Sequence, residues 1–260
     1  MIDIHNHILP GLDDGSAHID ISEYYIERLI EAHVESVVFT PHFKKGFYEN
    51  TKEKILISYN NVNDLIKKKG YAIETFCAAE VYLVGSQAVA DIQENAFMIN
   101  GSRYILVENS MNGFTFDFYE NLYKLVKLGF KPILAHPERY LEIIKRPELA
   151  EDLMHRDIYL QINTGSLLGV MGKEIKNVAW ELLDRGCAHF LGSDCHCKSG
   201  SYNFSIAVEQ IRKEHGNDRA ELLTKEFPRK MINNENIPHF YINRNIQPKK
   251  KNMLQKMFNL

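Results

Sequence analysis

Short runs of β-branched and aromatic residues alternate along the chain with longer segments in which apolar residues recur every three or four positions. The longer pattern predicts helices, for example over Ile19 to His33 and over Tyr119 to Leu128. Alternation of this kind is typical of repeated βα units around a parallel sheet. The seven predicted strands are Ile2 to His7, Ser36 to His42, Ala72 to Glu80, Arg103 to Glu108, Lys131 to His136, Asp157 to Asn163 and Ala188 to Asp194.

Composition narrows the class of protein. The chain has 260 residues, of which 45% are hydrophobic and 25% charged, so it can form one large α/β domain. Its 31 basic and 34 acidic residues give a formal charge of −3, and we expect no binding to nucleic acid. The amino terminus lacks the layout of a signal peptide, and four cysteines are too few for a disulfide framework, which favours a cytoplasmic location.

The sequence predicts one domain over residues 1–247 and a tail over 248–260. Basic and apolar residues are interleaved in the tail, as in a short amphipathic segment attracted to an anionic membrane. A solvated end or an oligomer contact is an alternative, and the oligomeric state stays open. The tail residues concerned are Lys249, Lys250, Lys251, Met253, Leu254, Lys256, Met257 and Phe258.

Polar residues stand at the ends of the predicted strands, 27 to 38 positions apart, which is the length of one βα unit. The carboxyl ends of parallel barrel strands face one mouth, so these residues should converge there. Asp and Glu at the ends of buried strands are costly unless they are paired or bound to metal. We therefore predict a metal centre near His7, His42, Glu80, Glu108, His136, Asn163 and Asp194.

Two pairs of ligand-type residues are separated by a single residue: His5 with His7, and Asp194 with His196. On an extended chain each pair presents both side chains to one face, which suits joint ligation. The cysteines on either side of His196 are expected to be small packing residues rather than part of a second zinc site. The remaining histidines are expected to pack or face solvent, namely His18, His33, His155, His189, His215 and His239.

Several other catalytic motifs are absent from the sequence. There is no Gly-x-Ser-x-Gly nucleophile elbow. No cysteine is followed six positions later by arginine, so a phosphocysteine mechanism is not expected. The glycines at 165, 169 and 172 lack the spacing of a phosphate-binding loop.

The motifs, taken in order over about residues 1 to 240, resemble the polymerase-and-histidinol-phosphatase (PHP) superfamily. Within it, they are similar to the manganese-dependent protein tyrosine phosphatases of bacterial capsule and exopolysaccharide loci. The resemblance implies an α/β fold, a distorted TIM-like (β/α)7 barrel with its metal centre at the C-terminal ends of the strands. The motifs are Ile2-Asp3-Ile4-His5-Asn6-His7, Pro10-Gly11-Leu12-Asp13-Asp14-Gly15-Ser16, Thr40-Pro41-His42, Ala79-Glu80-Val81-Tyr82, Ala135-His136-Pro137-Glu138-Arg139-Tyr140 and Ser193-Asp194-Cys195-His196.

The resemblance also implies three divalent metal ions, expected to be Mn²⁺, with iron or zinc as alternatives. Asp13 would orient a ligand or cap its loop. The ligands would fall into three sets, of which the first two share Glu80 as a bridge. These sets are His5, His7, Glu80 and Asp194; Glu80, Glu108 and His136; and Asp14, His42 and His196.

Phosphate contact is the role that the resemblance implies for Arg139. Related proteins usually carry a second arginine shortly after the Asp-x-His motif, where this chain has Tyr202. Lys198 would replace that arginine as a point charge, without its bidentate fork. Arg139, Lys198 and Tyr202 are therefore the candidate substrate-binding residues.

The implied function is a metal-dependent phosphomonoester hydrolase, a protein tyrosine phosphatase acting on a bacterial tyrosine kinase near the inner face of the membrane. A metal-bridging hydroxide would attack phosphorus directly. Arg139 would stabilise the transition-state charge, and His42 or a metal-bound water would donate the proton. The candidate catalytic residues are Arg139, His42 and Asp194. A small-molecule phosphatase such as histidinol phosphatase, or a non-catalytic binding module, is the alternative.

Aromatic residues follow the strand ends and could line a mouth deep enough to favour the longer phosphotyrosine side chain over phosphoserine. They are Phe43, Phe47, Tyr82, Phe114, Phe116 and Tyr140.

Overall fold

The computed structural model describes residues 1–95, 98–198 and 200–240. Parallel strands form a central barrel, and most of the helices lie outside it. The strands are Ile2–Asp3 (β1), Ser36–Phe39 (β2), His42–Phe43 (β3), Glu74–Cys77 (β4), Glu80–Tyr82 (β5), Tyr104–Glu108 (β6), Lys131–Ala135 (β7), Tyr159–Asn163 (β8) and Phe190–Gly192 (β9).

Helices connect successive strands, and their apolar faces pack on the barrel. In α4, for example, Phe118, Leu122 and Leu125 are buried at helical spacing. The helices are Ile19–Glu31 (α1), Lys52–Lys69 (α2), Ala88–Asn95 (α3), Phe118–Lys127 (α4), Leu141–Lys145 (α5), Leu149–His155 (α6), Thr164–Leu168 (α7), Lys173–Asp184 (α8), Phe204–His215 (α9), Asn217–Glu221 (α10) and Phe227–Ile232 (α11), with a π-helical turn at Leu222–Glu226.

Two of the seven predicted strands are each broken into two short ones. The prediction over Ser36 to His42 becomes β2 and β3, because Pro41 has no amide hydrogen to give to a ladder. The prediction ending at Glu80 becomes β4 and β5. Backbone bonds carry the pairing across the breaks, since Ala78 N donates to Phe39 O at 2.8 Å and Glu80 N donates to Pro41 O at 3.0 Å.

Backbone bonds beyond the ends of β1 and β9 close the ring. β1, β2 and β4 form one sheet, and β3, β5, β6, β7, β8 and β9 form the other in that order. Asp194 N donates to His5 O at 2.8 Å, and His7 N donates to Cys195 O at 2.9 Å. The first predicted strand thus meets the last one, and the predicted distorted, TIM-like parallel barrel is confirmed.

The barrel interior and the layer between barrel and helices form two hydrophobic clusters. Alternate residues of the strands, such as Tyr104, Leu106 and Ile133, fill the interior together with Phe227 and Met231 of α11. The intervening residues of the same strands pack against the helices in the larger cluster. The segment after α11 covers the amino ends of the strands, where Arg103 donates to Asn234. The opposite, carboxyl end is left for the site.

No helix in the described ranges is both long enough and apolar enough to span a bilayer. The predicted tail, 248–260, and the end of the predicted domain, 241–247, lie outside the described residues.

Candidate metal centre

All nine predicted ligands converge at the carboxyl end of the barrel. A side-chain nitrogen or oxygen of each lies no more than 3.4 Å from that of another member. They are His5, His7, Asp14, His42, Glu80, Glu108, His136, Asp194 and His196.

Glu80 lies at the middle of this cluster and is fully buried. Its Oε1 is 3.0 Å from Nε2 of His136 and 3.3 Å from Nε2 of His5. Its Oε2 is 2.9 Å from Nδ1 of His42 and 3.4 Å from Nε2 of His7. One carboxylate therefore contacts four of the five predicted histidine ligands, a position suited to a bridging ligand.

The remaining acidic members surround Glu80. Oδ1 of Asp194 lies 3.3 Å from Nε2 of His7 and 3.4 Å from Nε2 of His5. On the opposite, more exposed side, Oδ1 of Asp14 lies 3.4 Å from Nε2 of His196. The cluster thus runs from a buried centre to the mouth of the barrel.

Three groups within the cluster have ligand atoms close enough to share an ion: His5, His7 and Glu80; His42, Glu80 and Glu108; and His7, His42 and His196. The first fits the expected sets. The other two share His42, whereas the resemblance places that residue in one set only. The reason is its orientation, since Nδ1 faces Glu80 and Glu108 while Nε2 faces Asp14.

The chemistry of these side chains fits divalent metal ions. Mixed imidazole and carboxylate donors suit manganese, iron or zinc. One buried ligand nitrogen, Nδ1 of His136, has no hydrogen-bond partner among the described residues, whereas Nδ1 of His42 and Oε2 of Glu80 face each other at 2.9 Å. Buried polar atoms are normally paired, so an unpaired ligand nitrogen within this cluster fits a role in binding a cation.

The charges of the cluster also stabilise one another. Burial alone would raise the pKa of Glu80, but the charges of His5 and His42 outweigh it and hold that pKa well below its ordinary range. Burial lowers the pKa of His42, but Glu80 and Glu108 outweigh it and raise that pKa to about 10.

Two ligands have their outward ring nitrogen fixed by a neighbour. Nδ1 of His7 is 2.8 Å from Oδ2 of Asp13, which also accepts the His42 backbone N–H at 2.8 Å. Nδ1 of His5 is 2.7 Å from Oε1 of Gln161. In both cases Nε2 is left facing the cluster, which is how protein histidines are oriented toward metals.

Gln161, which sequence reasoning missed, begins a chain of amides along β8 that continues to Asn163, one of the strand-end residues predicted near the metal centre. Its Nε2 donates to Oδ1 of Asn163 at 2.8 Å, and Nδ2 of Asn163 donates to Oδ2 of Asp194 at 2.7 Å. The available signal was the i, i+2 spacing of Gln161 and Asn163 on one strand. We refer to His5, Gln161, Asn163 and Asp194 as the amide relay, because it connects two ligands through two amides.

Gly192 makes room for this relay. A Cβ atom at this position would lie 2.6 Å from Cβ of His5 and 2.7 Å from Nε2 of Gln161. A glycine is therefore required where β9 passes the ligand histidine.

Arg139 and Asp194 are held next to each other at the mouth. Nη1 of Arg139 donates to Oδ2 of Asp194 at 2.9 Å, and its side chain is 26% exposed. The backbone is strained at Asp194 itself and at His136, three residues before Arg139, because both adopt left-handed angles, with φ of 50° and 38°. Strain of this kind is concentrated at functional sites.

The other two candidate substrate-binding residues are placed differently. Nζ of Lys198 lies 2.9 Å from Oδ2 of Asp14, and its side chain is 63% exposed, at the edge of the cluster. The hydroxyl of Tyr202 donates to Oδ2 of Asp3, a fully buried carboxylate. Of these two residues, Lys198 is a cation in contact with a predicted ligand, and Tyr202 is a phenol bonded away from the ligands.

The six aromatic residues expected around the mouth divide by exposure. Phe47 and Phe116 are strongly exposed. Tyr82 is half-buried beneath Nζ of Lys44, 4.1 Å from its ring centre. Phe114 is partly buried and stacks on Phe118 at the edge of the core, and Phe43 and Tyr140 are buried, so these three contribute to packing rather than to an open wall.

His189, expected to be a packing residue, is fully buried. Its Nδ1 accepts the Leu160 N–H, and its Nε2 lies 2.9 Å from the backbone oxygen of His239. Burial lowers its pKa to about 3.

Comparisons with known proteins identify related sequences and structures. The family described as "Capsular polysaccharide synthesis, CpsB/CapC" matches residues 1–233. The tyrosine-protein phosphatase YwqE of Bacillus subtilis is 30% identical over 231 residues, covering 86% of this chain and 89% of YwqE.

Two solved structures bear on the fold. One, from work on YwqE of Bacillus subtilis and CpsB of Streptococcus pneumoniae as unique metal-dependent tyrosine phosphatases, has a TM-score of 0.86 and 28% identity, covering 94% of this chain and all of that one. The histidinol phosphate phosphatase of Lactococcus lactis has a TM-score of 0.53 and 17% identity, covering 83% and 93%, and shares the fold alone. The chain belongs to the CpsB/CapC family of capsular polysaccharide synthesis.

Proposed function

We propose that this protein is a metal-dependent protein tyrosine phosphatase that acts on a bacterial tyrosine kinase of capsule or exopolysaccharide synthesis. The observation that carries the proposal is the continuous cluster of nine ligand-type side chains around Glu80, with Arg139 in contact with it. The family match and the named activity of YwqE support it. A complete ligand set argues against a non-catalytic module, because an unused cluster of buried charges is costly.

The proposed cofactors are three divalent ions, with manganese expected and iron or zinc as alternatives. Three groups with shared ligand atoms support that number, and the mixed nitrogen and oxygen donors support those metals. Bound ions of this kind supply an activated water and offset phosphoryl charge. The oriented Nε2 atoms of His5 and His7 would be their most rigid ligands.

Arg139 binds the phosphoryl oxygens in this proposal. A guanidinium carries five N–H donors in a fixed fork, and its bond to Asp194 uses one of them. That bond holds the fork beside the ligands, so it needs little rearrangement when phosphate arrives. Lys198 adds an exposed positive charge at the rim, held by Asp14.

The leaving group makes a smaller demand on the protein. Phenolate is a good leaving group, so its protonation should contribute less to the reaction rate than the alignment of phosphorus with the attacking water does. The imidazole of His42, with 15% of its side chain exposed, is one proposed donor of that proton, and a metal-bound water is the other. Two strongly exposed rings, Phe47 and Phe116, follow the strands that carry His42 and Glu108 and are available to contact a phosphotyrosine protein.

Three phosphate esters, tested side by side in the presence of Mn²⁺, examine this proposal: a phosphotyrosine peptide, a phosphoserine peptide and histidinol phosphate. We expect kcat/KM for phosphotyrosine to exceed that for phosphoserine at least tenfold, a difference of about 1.4 kcal/mol. Chelation should abolish turnover and Mn²⁺ should restore it. Faster turnover of histidinol phosphate would instead make the protein a small-molecule phosphatase.

The proposed location is the cytoplasm, at the inner face of the membrane where the kinase would reside. The basic and apolar composition of residues 248–260 supports this contact. Replacing Lys249, Lys250 and Lys251 by glutamate in the full chain should reduce binding to anionic vesicles without changing turnover of a small substrate. Equal vesicle binding by both proteins would remove the membrane contact from the proposal.

The oligomeric state of the protein is a separate question, which light scattering would measure.

A further inference from the structure

Asp3 is a fully buried carboxylate two residues before the first ligand histidine. Its Oδ1 accepts the backbone N–H of Ser193 at 2.9 Å and that of His5 at 3.2 Å. Its Oδ2 accepts the Ser193 hydroxyl at 2.7 Å. One carboxylate therefore connects the segment that carries His5 with the residue directly before Asp194.

Tyr202 supplies a further donor to this carboxylate. Its hydroxyl lies 3.0 Å from Oδ2 of Asp3, and its ring stacks on that of Phe204, with centroids 6.1 Å apart. Burial raises the pKa of this hydroxyl well above its ordinary value, and the charge of Asp3 raises it further, so the group stays protonated and donates. The hydroxyl of Tyr202 is thus bonded to the carboxylate that holds the backbone of His5 and Ser193.

The segment that bears Tyr202 is also fixed by helix α1. The Tyr24 hydroxyl donates to Gly200 O at 2.9 Å, and Gly200 N donates to the Tyr25 hydroxyl at 2.8 Å. These bonds hold the segment itself but do not involve Asp3. Tyr202 therefore adds a distinct connection, from this segment to the backbone of the ligand residues.

We propose that Tyr202 is a positioning residue of the metal centre, acting through Asp3 on the backbone of His5 and Ser193, and that it does not bind substrate. The inference rests on the proposed function and deepens it. A tyrosine hydroxyl already bonded to a buried carboxylate offers phosphate neither a charge nor a free donor. Arg139 and Lys198 are then the only cations among the candidate substrate-binding residues.

Tyr202→Phe in the full chain removes a single hydroxyl while retaining the ring that packs in the core. We expect Mn²⁺ affinity, measured by competition with a chelator, to fall by about tenfold, as for other residues that orient metal ligands. With a phosphotyrosine peptide at saturating Mn²⁺, kcat should fall while KM stays within about twofold.

Tyr24→Phe is the matched control, because it removes a hydroxyl bonded to the same segment but not to Asp3. It should leave metal affinity and kcat unchanged. Ser193→Ala removes the neighbouring donor to Oδ2 of Asp3 together with bonds to His5 O and Cys195 N, so it should lower metal affinity more than Tyr202→Phe does. Circular dichroism of each variant would identify a loss of folding.

Two results would overturn the inference: parental metal affinity with a raised KM in Tyr202→Phe, which would make the residue a substrate contact, or parental values throughout. Failure of the proposed function is a separate outcome, seen in the parent protein as metal binding without phosphotyrosine hydrolysis. The affinity comparison among the variants still decides the role of Tyr202 in that case.

Discussion

The amide relay gives a quantitative prediction for Gln161→Leu. Gln161 is fully buried, and its amide makes two bonds, with His5 at 2.7 Å and with Asn163 at 2.8 Å. Leucine has a similar size but removes both, which leaves Nδ1 of His5 and Oδ1 of Asn163 buried without these partners. An unsatisfied buried group costs ~1–3 kcal/mol, so the two together should reduce the free energy of unfolding by ~2–6 kcal/mol. That is a large part of the ~5–15 kcal/mol typical of a domain.

The same change should weaken metal binding by about 10- to 100-fold, because the ring of His5 loses the partner that keeps Nε2 toward the cluster. Urea unfolding of the metal-free protein measures the first effect, and chelator competition with Mn²⁺ measures the second. Gln93→Leu, on the exposed face of α3, is the matched control and should change stability by no more than ~0.5 kcal/mol.

Gln161→Glu separates the two bonds of the relay. The carboxylate still accepts from His5 but cannot donate to Asn163, so stability should fall while metal affinity stays closer to the parental value. Parental stability and metal affinity in Gln161→Leu would refute the reasoning, because the relay would then neither satisfy buried groups nor orient the ligand.

Three further changes test the site and the core. Arg139→Lys should retain folding and metal content but lower kcat/KM for phosphotyrosine at least ~tenfold, because lysine cannot form two parallel hydrogen bonds to phosphate. Arg156→Lys is the control, because Arg156 forms only an exposed surface ion pair with Asp152. Equal activity of both variants would contradict the phosphate role of Arg139. Glu80→Ala should lose most bound metal in elemental analysis, and full retention would exclude a bridging role. His189 has its pKa lowered to about 3, so it stays neutral when folded. The stability gained from neutral His189 is complete above its ordinary pKa of about 6.5, and the free energy of unfolding should decrease as the pH falls through that pKa, by ~2 kcal/mol at pH 5. In urea unfolding, the free energy of unfolding of His189→Gln should depend correspondingly less on pH.

The residues of the metal centre could be located from sequence because barrel topology converts chain spacing into proximity. His42, Glu80 and Glu108 each follow a β-branched run at the interval of one βα unit, so the parallel barrel had to bring them to one mouth. Position along the chain was sufficient for these three residues, whereas Asp14 was expected only from the family resemblance.

The supporting residues could not be found in this way, because they depend on strand register. Gln161 reaches His5 only because β8 pairs with β9 so that Gln161 lies opposite Phe190, and nothing in the local sequence fixes that pairing. Asp3 looked like part of the motif before His5, and its contact with Tyr202 joins residues 199 positions apart. The exposure of side chains could not be predicted either. Tyr140 follows the strand that carries His136, but it is buried, and its hydroxyl accepts the Asn109 N–H.

The closure of the barrel between its first and last strands constrains when the protein can become active during synthesis. His5 and His7 leave the ribosome first, but the backbone that pairs with them is that of Asp194 and Cys195, about 190 residues later. Contacts so distant in sequence form late in folding, because the intervening chain must be ordered first. A nascent chain that ends before Asp194 therefore has most of its ligands but no closed ring, and the metal centre is completed only after Asp194 and His196 have left the ribosome.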